Sequence, residues 1–285
     1  MKRLIVIAAI LLSMILCAEA QQSGTKSTRR GGKTLDQSLA HLPTGLKLQE
    51  KGPQKYSFVC DYYTLNQVGS VLFKDRIDGT YTRGLPEGKS RWNDVRISHA
   101  TGLNDSFNEG VAQPYMEGFT YKLATGHEWE SKDFFAGFPT TDLKGQNLVW
   151  DTYMFESFAR NNFDKLALNK PYRFDHGSDV SLSGSGNFKN NNVELTWTGI
   201  SKYNGVPCAL IRYEAFFNTL NVAVPGFEGK GRSHYWGEIW VSLQTKQVEY
   251  GTLREDVLME ATIGGQPNKT EINVFRTGTL SKLVK

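Results

Sequence analysis

One strand-like segment near the carboxyl end carries the residues whose types and spacing could do chemistry. Every second position from His234 to Ser242 holds a functional side chain, namely His234, Trp236, Glu238, Trp240 and Ser242. Successive side chains of a strand point to opposite faces, so these five would share one face. If that face lines the inside of a curled sheet, it forms a pocket wall in which an acid and an imidazole lie among aromatic rings. Ligand pockets commonly combine an apolar lining with a few polar groups in this way.

The same segment allows two other interpretations. Its second face is apolar, so the strand could be buried on both sides, with Glu238 paired to an arginine such as Arg212. Alternatively, two tryptophans that face water would form an exposed apolar patch, which is typical of a partner interface. The predicted ligand-binding residues are His234, Trp236, Glu238, Trp240, Trp197 and Arg212.

No catalytic constellation is complete in the sequence. A glycosidase would need Glu238 together with a second carboxylate, such as Glu214 or Glu249, at a separation that the sequence does not define. Residues 231–235 resemble a nucleophile elbow but end in tyrosine instead of glycine. The zinc-protease pattern fails because no histidine stands four residues after His127. The catalytic residues stay unknown, and neither a metal site nor a cofactor is predicted.

The first twenty residues predict an exported protein. Lys2 and Arg3 precede a short apolar run that ends on Ala18-Glu19-Ala20, which is the pattern of a secretory signal peptide cleaved after Ala20. The pattern is bacterial in style and predicts a secreted or periplasmic location. The run is too short to span a membrane comfortably, and no longer apolar run follows.

The charge of the chain argues against a nucleic-acid partner. The formal net charge is +4, and removal of two basic residues and one acidic residue with the signal leaves +3. Nucleic-acid binding would need a concentrated basic face, which the sequence lacks.

Two cysteines remain after Cys17 leaves with the signal peptide. An exported protein matures in an oxidising compartment, where Cys60 and Cys208 could form a disulfide. The alternative is two buried thiols that act as small apolar side chains. Sequence alone leaves both possibilities open.

The rest of the chain predicts the elements that would position these residues. Tyr56, Phe58, Cys60 and Tyr62 alternate with other residues in an aromatic-rich strand, and similar alternation recurs up to residue 283. Further strands are predicted around residues 69–77, 94–99 and 115–123, and over most of 193–283. Asn204-Gly205 favours a tight hairpin turn, because a type I′ turn needs positive φ at both central positions. Helical spacing appears once with clarity, at residues 150–159, with Asp151 as an early cap.

These patterns predict a mainly β protein: a curled antiparallel meander, or open barrel-like sheet, with one central helix. The predicted organisation is a signal peptide at 1–20, a flexible leader at 21–54 and a single β-rich domain at 55–285. The strand pattern resembles that of periplasmic open-barrel lipoprotein carriers, although no diagnostic motif is shared.

Three functions are compatible with this organisation. The preferred one is an exported soluble binding protein with an aromatic-lined pocket for a small apolar or amphipathic ligand. The alternatives are an extracellular glycan-acting hydrolase that uses Glu238 with a second carboxylate, and a non-catalytic surface-interaction module. The oligomeric state is not defined by the sequence.

Overall fold

A computed structural model describes residues 42–50, 52–122, 130–131, 133–140, 142–174, 179–265 and 269–284. The strands are β1 (Gln54–Leu65), β2 (Val71–Leu85), β3 (Lys89–Ala100), β4 (Val111–Ala112), β5 (Thr120–Lys122), β6 (Pro171–Phe174), β7 (Asp179–Ser181), β8 (Gly186–Lys189), β9 (Asn192–Tyr203), β10 (Val206–Val224), β11 (Phe227–Ser242), β12 (Val248–Ile263) and β13 (Thr270–Lys282). The helical elements that lie wholly within the described residues are α1 (Lys144–Asn161) and short 3₁₀ turns at Pro86–Gly88, Pro114–Met116 and Phe163–Lys165.

These strands form one antiparallel sheet, as the alternating pattern predicts. The spatial order is β4-β3-β2-β1-β13-β12-β11-β10-β8-β7, while β9 pairs with β10 and β6, and β5 pairs with β3. Among the described residues the end strands of this order do not pair with each other, so the sheet is open. The prediction of an open antiparallel sheet with one helix is confirmed. No described helix has the length and apolar character needed to cross a membrane.

The hairpin predicted at Asn204-Gly205 joins β9 to β10. Both residues have positive φ, 48° and 80°, as a type I′ turn requires. Such a turn matches the right-handed twist of its flanking strands and thereby fixes their register. Arg212 on β10 consequently lies opposite Thr196 on β9 and Glu238 on β11.

The helix α1 packs against one face of the sheet, which we call the inner face. The ring of Phe155 lies 6.1 Å from Phe58 and 6.2 Å from Tyr213, measured between centroids. Gly251 on β12 allows this close approach, because a Cβ there would lie 3.2 Å from the Phe155 ring. The face on the other side of the sheet is the outer face.

Two local predictions need correction. Asp151 does not begin the helix, which starts seven residues earlier at Lys144, whose N–H donates to Asp142 Oδ1 at 3.0 Å. The strand predicted at 115–123 is interrupted, since Pro114 opens a 3₁₀ turn and Gly118 has φ of +71°. Of residues 115–122, which the structure describes, only Thr120–Lys122 form a strand.

Asp151 instead forms a buried ionic cluster with Arg276. Arg276 donates to Asp151 through Nη1 (2.7 Å) and Nη2 (3.0 Å), and through Nε to Glu255. Glu255 also accepts a hydrogen bond from Ser233. One guanidinium therefore holds α1 to β12 and β13 through two buried carboxylates. Burial raises the pKa of Asp151 to about 6 against the opposing effect of Arg276, and Glu255 adds to the rise.

Part of the predicted leader is packed against the domain. Leu42 is buried, the Gln49 N–H donates to the Thr245 carbonyl at 2.9 Å, and Glu50 forms an ion pair with Arg83. The compact unit to which the described residues belong extends from Leu39 to Lys285, so it begins before residue 55. The signal peptide and leader residues 21–41 lie outside the described residues.

The candidate disulfide is not formed, and both cysteines are buried free thiols. Cys60 lies on β1 and Cys208 on β10, with β13, β12 and β11 between them in the sheet. Four strand spacings correspond to roughly 19 Å along the sheet, whereas disulfide-bonded Cα atoms lie within about 7 Å of each other. Burial raises the pKa of the Cys60 thiol to about 12, which disfavours the thiolate.

Candidate functional site

Strand β11 separates its two sets of side chains as the alternation predicts. Tyr235, Ile239 and Val241 are buried on the inner side. His234, Trp236 and Trp240 are partly exposed on the outer face, and Glu238 is exposed there. The functional side chains therefore face away from α1. The prediction that they line an enclosed pocket inside the curled sheet is therefore wrong.

Arg212 joins this group and Trp197 does not. Arg212 is exposed on the outer face, directly across from Glu238, yet its guanidinium donates to Glu214 Oε2 at 2.7 Å. Trp197 is completely buried on the inner side, where its Nε1 donates to the Gly199 carbonyl at 2.7 Å. The prediction that Trp197 lines the site is therefore wrong. The bulge between β9 and β10 and the alternation of β9 turn its indole toward the core.

An open polar cleft lies beside these residues on the outer face. Its volume is about 270 Å³, and it is lined by Asn169, Glu194, Thr196, Thr198, Arg212 and Glu214. Two ion pairs order its carboxylates, since Arg173 binds Glu194 at 2.8 Å and Arg212 binds Glu214 at 2.7 Å. Glu214 lies across from Trp236, so the cleft and the indole are neighbours.

Trp236 has two charged neighbours that form no ion pair within the described part of the chain. Arg254 lies across from Trp236 on β12, and Glu238 is two residues further along β11. Neither the Arg254 guanidinium nor the Glu238 carboxylate forms a hydrogen bond or ion pair with another described side chain. An indole flanked by an unpaired donor and an unpaired acceptor can bind a ligand that has an apolar side and polar edges. Sequence reasoning missed Arg254, because nothing in the sequence shows which arginines stay unpaired.

A β-bulge places two further rings beside His234. Phe217 has φ of +59° and is 70% exposed, and its N–H donates to His234 Nδ1 at 3.2 Å. The His234 ring lies 5.6 Å from Phe216 and 5.2 Å from Phe217. Desolvation, assisted by Arg232, lowers the pKa of His234, which favours the neutral ring that can accept this bond. Strained backbone of this kind clusters at functional sites.

The aromatic side chains continue on both sides of this position. Trp236 lies 6.4 Å from Phe216 and 6.3 Å from Phe275 on β13. Trp240 lies in a separate group, 6.1 Å from Tyr203 and 6.2 Å from Tyr250. The Trp240 Nε1 is buried and has no hydrogen-bond partner among the described residues. Trp240 is thus packed chiefly as a structural side chain, whereas Trp236 is the tryptophan with polar groups beside it.

The carboxylates near this position do not form a clear acid–base pair. Glu249 is buried and bound to Lys282 at 2.8 Å, and Glu214 is held by Arg212. Glu238 is exposed and lies across from Arg212 and Thr252, so no second carboxylate faces it on the two neighbouring strands. Within the described part of the chain, no cluster of three or more histidine, cysteine or acidic residues could hold a metal ion.

Comparison with known proteins does not assign the chain. No protein-family model and no curated protein matches it. Among solved structures, the botulinum neurotoxin serotype C1 binding domain is 7% identical, with 81% of this chain and 79% of that chain covered and a TM-score of 0.15. The structure of HCR/D-Sa-GBL1/C is 6% identical, with 83% and 86% covered and a TM-score of 0.13. Likenesses this weak carry no argument about fold or function.

Proposed function

We propose that this chain is an exported binding protein that captures an amphipathic ligand on the outer face of its sheet. The observation that carries the proposal is the position of Trp236 next to the polar cleft and beside Arg254 and Glu238, neither of which is ion-paired to another described residue. The indole would cover the apolar side of a ligand. The guanidinium, the carboxylate and the cleft would take its polar edges. Export rests on the signal-peptide pattern of residues 1–20.

The inner face offers little support for carriage of an apolar ligand. Leu148, Val149, Phe155 and Ala159 of α1 are almost completely buried and fill the space along this face. A second depression, beside Tyr56 and other residues at the end of α1, has a volume of about 10 Å³. That volume is no more than one water molecule requires. An amphipathic ligand on the outer face therefore fits better than an apolar ligand inside.

Binding without turnover is favoured over hydrolysis. Glu194 and Glu214 are each bound by an arginine in an ion pair, and Glu238 lies across from Arg212 and Thr252 rather than from another carboxylate. A glycosidase needs two carboxyl groups that flank the scissile bond. The polar groups around Trp236 are thus better suited to hold a ligand than to transfer a proton to it.

Substitution of Trp236 is expected to weaken ligand binding. We would titrate the mature chain, starting at Gln21, with n-octyl-β-glucoside below its micelle concentration, with cellobiose and with lauric acid, using native mass spectrometry and calorimetry. Trp236→Ala should lower the affinity for the alkyl glycoside about tenfold, because stacking and buried apolar area are lost. Arg254→Met should lower it by a similar factor, because a charge-assisted hydrogen bond is lost.

A matched control is Phe73→Ala, which removes a partly exposed ring from the opposite side of β2 and should leave the affinity unchanged. The proposal would be refuted, in favour of an interior carrier, if lauric acid were the only one of the three probes to bind and bound equally to the wild type and Trp236→Ala. Release of reducing sugar ends that Glu238→Gln abolishes would favour the hydrolase instead.

A further inference from the structure

The outer face carries polar side chains in continuous rows that cross several strands. In the first row, residues that lie directly opposite one another on successive strands include Glu194 (β9), Glu214 (β10), Trp236 (β11), Arg254 (β12), Asp61 (β1) and Arg76 (β2). Thr277 of β13 completes the row between Arg254 and Asp61. The row therefore runs perpendicular to seven neighbouring strands without a break.

Two parallel rows flank the first. The second contains Arg212, Glu238, Asp78 and Arg96, with threonines at its β9, β12 and β13 positions. The third contains His234, Asp256, Phe275, Tyr63 and Lys74. Together the three rows form a band across the outer face, which we call the cross-strand track.

The charges of the cross-strand track balance. With Arg173 of β6, the first row has three arginines and three carboxylates, and the second row has two of each. The third row adds Asp256 and Lys74. Most of these groups are neutralised locally, as by the Arg76–Asp61 pair at 2.7 Å. A polyanion such as a nucleic acid, or an anionic lipid surface, would find no excess of positive charge here.

Aromatic rings continue along the track from Trp236. The Phe275 ring lies 6.3 Å from Trp236 and 6.4 Å from Tyr63. At the β2 end, Phe107 packs over Lys74 and Arg76, with its ring centroid 4.7 and 4.4 Å from their charged groups. Lys74 Nζ also donates a hydrogen bond to the Leu103 carbonyl, 2.7 Å away, in the loop that carries Phe107. This loop closes the track at one end, and the polar cleft lies at the other.

The length and composition of the track favour a sugar chain. Six spacings between β9 and β2 correspond to about 29 Å, and one spacing of about 4.8 Å is close to the length of one pyranose ring along a chain. Sugar rings have apolar C–H faces that pack on aromatic rings, and hydroxyl groups that both donate and accept hydrogen bonds. Paired arginines and carboxylates provide both kinds of partner.

A peptide fits the track less well. Within the track the N–H and C=O groups of these strands are already hydrogen-bonded to neighbouring strands. A peptide that crosses the strands therefore could not pair with them as an added strand would. Its own N–H and C=O groups would depend on side chains alone.

We propose that the ligand is an uncharged oligosaccharide that lies across the strands, along the cross-strand track from the polar cleft to Phe107. This inference rests on the proposed function, because it extends the site at Trp236 toward β2. It requires a chain of about six sugar units to use the whole track.

The test is the dependence of affinity on chain length. Calorimetry would compare β-1,4-linked and α-1,4-linked glucose oligomers of two, four and six units. We expect affinity in at least one series to rise about tenfold or more from two to six units, as added rings reach Phe275 and Tyr63. Tyr63→Ala should remove most of that gain, and Phe107→Ala, which changes only a loop, should reduce it without affecting folding. Phe73→Ala is the matched aromatic control outside the track.

Suppose that the affinity is equal at every oligomer length in both series, while n-octyl-β-glucoside still binds in a Trp236-dependent manner. This result would refute the oligosaccharide track and leave the proposed function intact. Failure of every probe to bind would refute both. Tighter binding of a proline-rich decapeptide than of either six-unit glucan would also overturn the inference. Circular dichroism and thermal melting of Tyr63→Ala would identify a misfolded variant, in which case Phe107→Ala decides the result.

Discussion

Replacement of Arg276 by leucine is expected to lower the free energy of unfolding by about 3–5 kcal/mol, since it leaves two buried carboxylates without their counter-charge. Arg276 binds Asp151 in a bidentate manner and also contacts Glu255, and all three side chains are largely buried. The loss would also release α1 from β13, because Asp151 is on the helix. Chemical denaturation monitored by circular dichroism would measure the change.

The matched control for this experiment is Arg173→Leu. Arg173 binds Glu194 in the same charge combination, but its side chain is 76% exposed. Exposed ion pairs contribute about 0–1 kcal/mol, so this variant should remain close to the wild type. An Arg276→Leu protein as stable as Arg173→Leu would show that the buried cluster does not hold the helix to the sheet.

The second large effect concerns the pH dependence of stability. The pKa of Asp151 is raised from 3.8 to about 6 in the folded chain, chiefly by burial. Between these two values the folded state holds a proton that the unfolded state has lost, so stability falls as pH rises from about 4 to about 6. A difference of roughly two pKa units corresponds to about 3 kcal/mol. Asp151→Asn should remove this part of the pH dependence.

Denaturation of the wild type and Asp151→Asn at pH 3.5 and pH 7 would test this expectation. The two proteins should have similar stability at the lower pH, because protonated aspartate and asparagine are both uncharged. At pH 7 the variant should be more stable by about 2–3 kcal/mol, since the cluster then contains one negative and one positive charge. If the wild type is instead more stable than Asp151→Asn at pH 7 by about 2–3 kcal/mol, Arg276 fully compensates both carboxylates.

Sequence patterns predicted the elements well and the position of the site less well. Period-two alternation identified the long strands, and Asn204-Gly205 identified their hairpin, because both signals depend only on local geometry. Alternation also separated the Trp236 side of β11 from its Ile239 side. The alternation could not show which side of β11 faces α1, because both sides carry large aromatic rings. Which side is covered depends on segments that are distant in the sequence. The outer position of Trp236 therefore emerged only from the fold.

The remaining features depend on contacts between residues far apart in sequence. Asp151 was interpreted as a helix cap, yet its partner Arg276 lies 125 residues away. Arg254 was missed because only the assembled sheet shows that it lies across from Trp236 and forms no ion pair with another residue that the structure describes. The bulge that exposes Phe217 interrupts the register between β10 and β11, and no glycine marks it in the sequence. Long-range register, which local patterns do not encode, determines each of these features.

Binding of a ligand to the outer face at Trp236 can be followed through the indole N–H signals of the tryptophans in ¹⁵N NMR. The protein without residues 1–20 would be titrated with the tightest-binding glucose oligomer or, if none binds, with n-octyl-β-glucoside. Trp236→Phe would assign the Trp236 signal by its loss. We expect the Trp236 signal to shift progressively, while the signals of the buried Trp92 and Trp197 stay in place. A shift at Trp197 with an unchanged Trp236 signal would contradict this expectation and place the ligand inside the sheet.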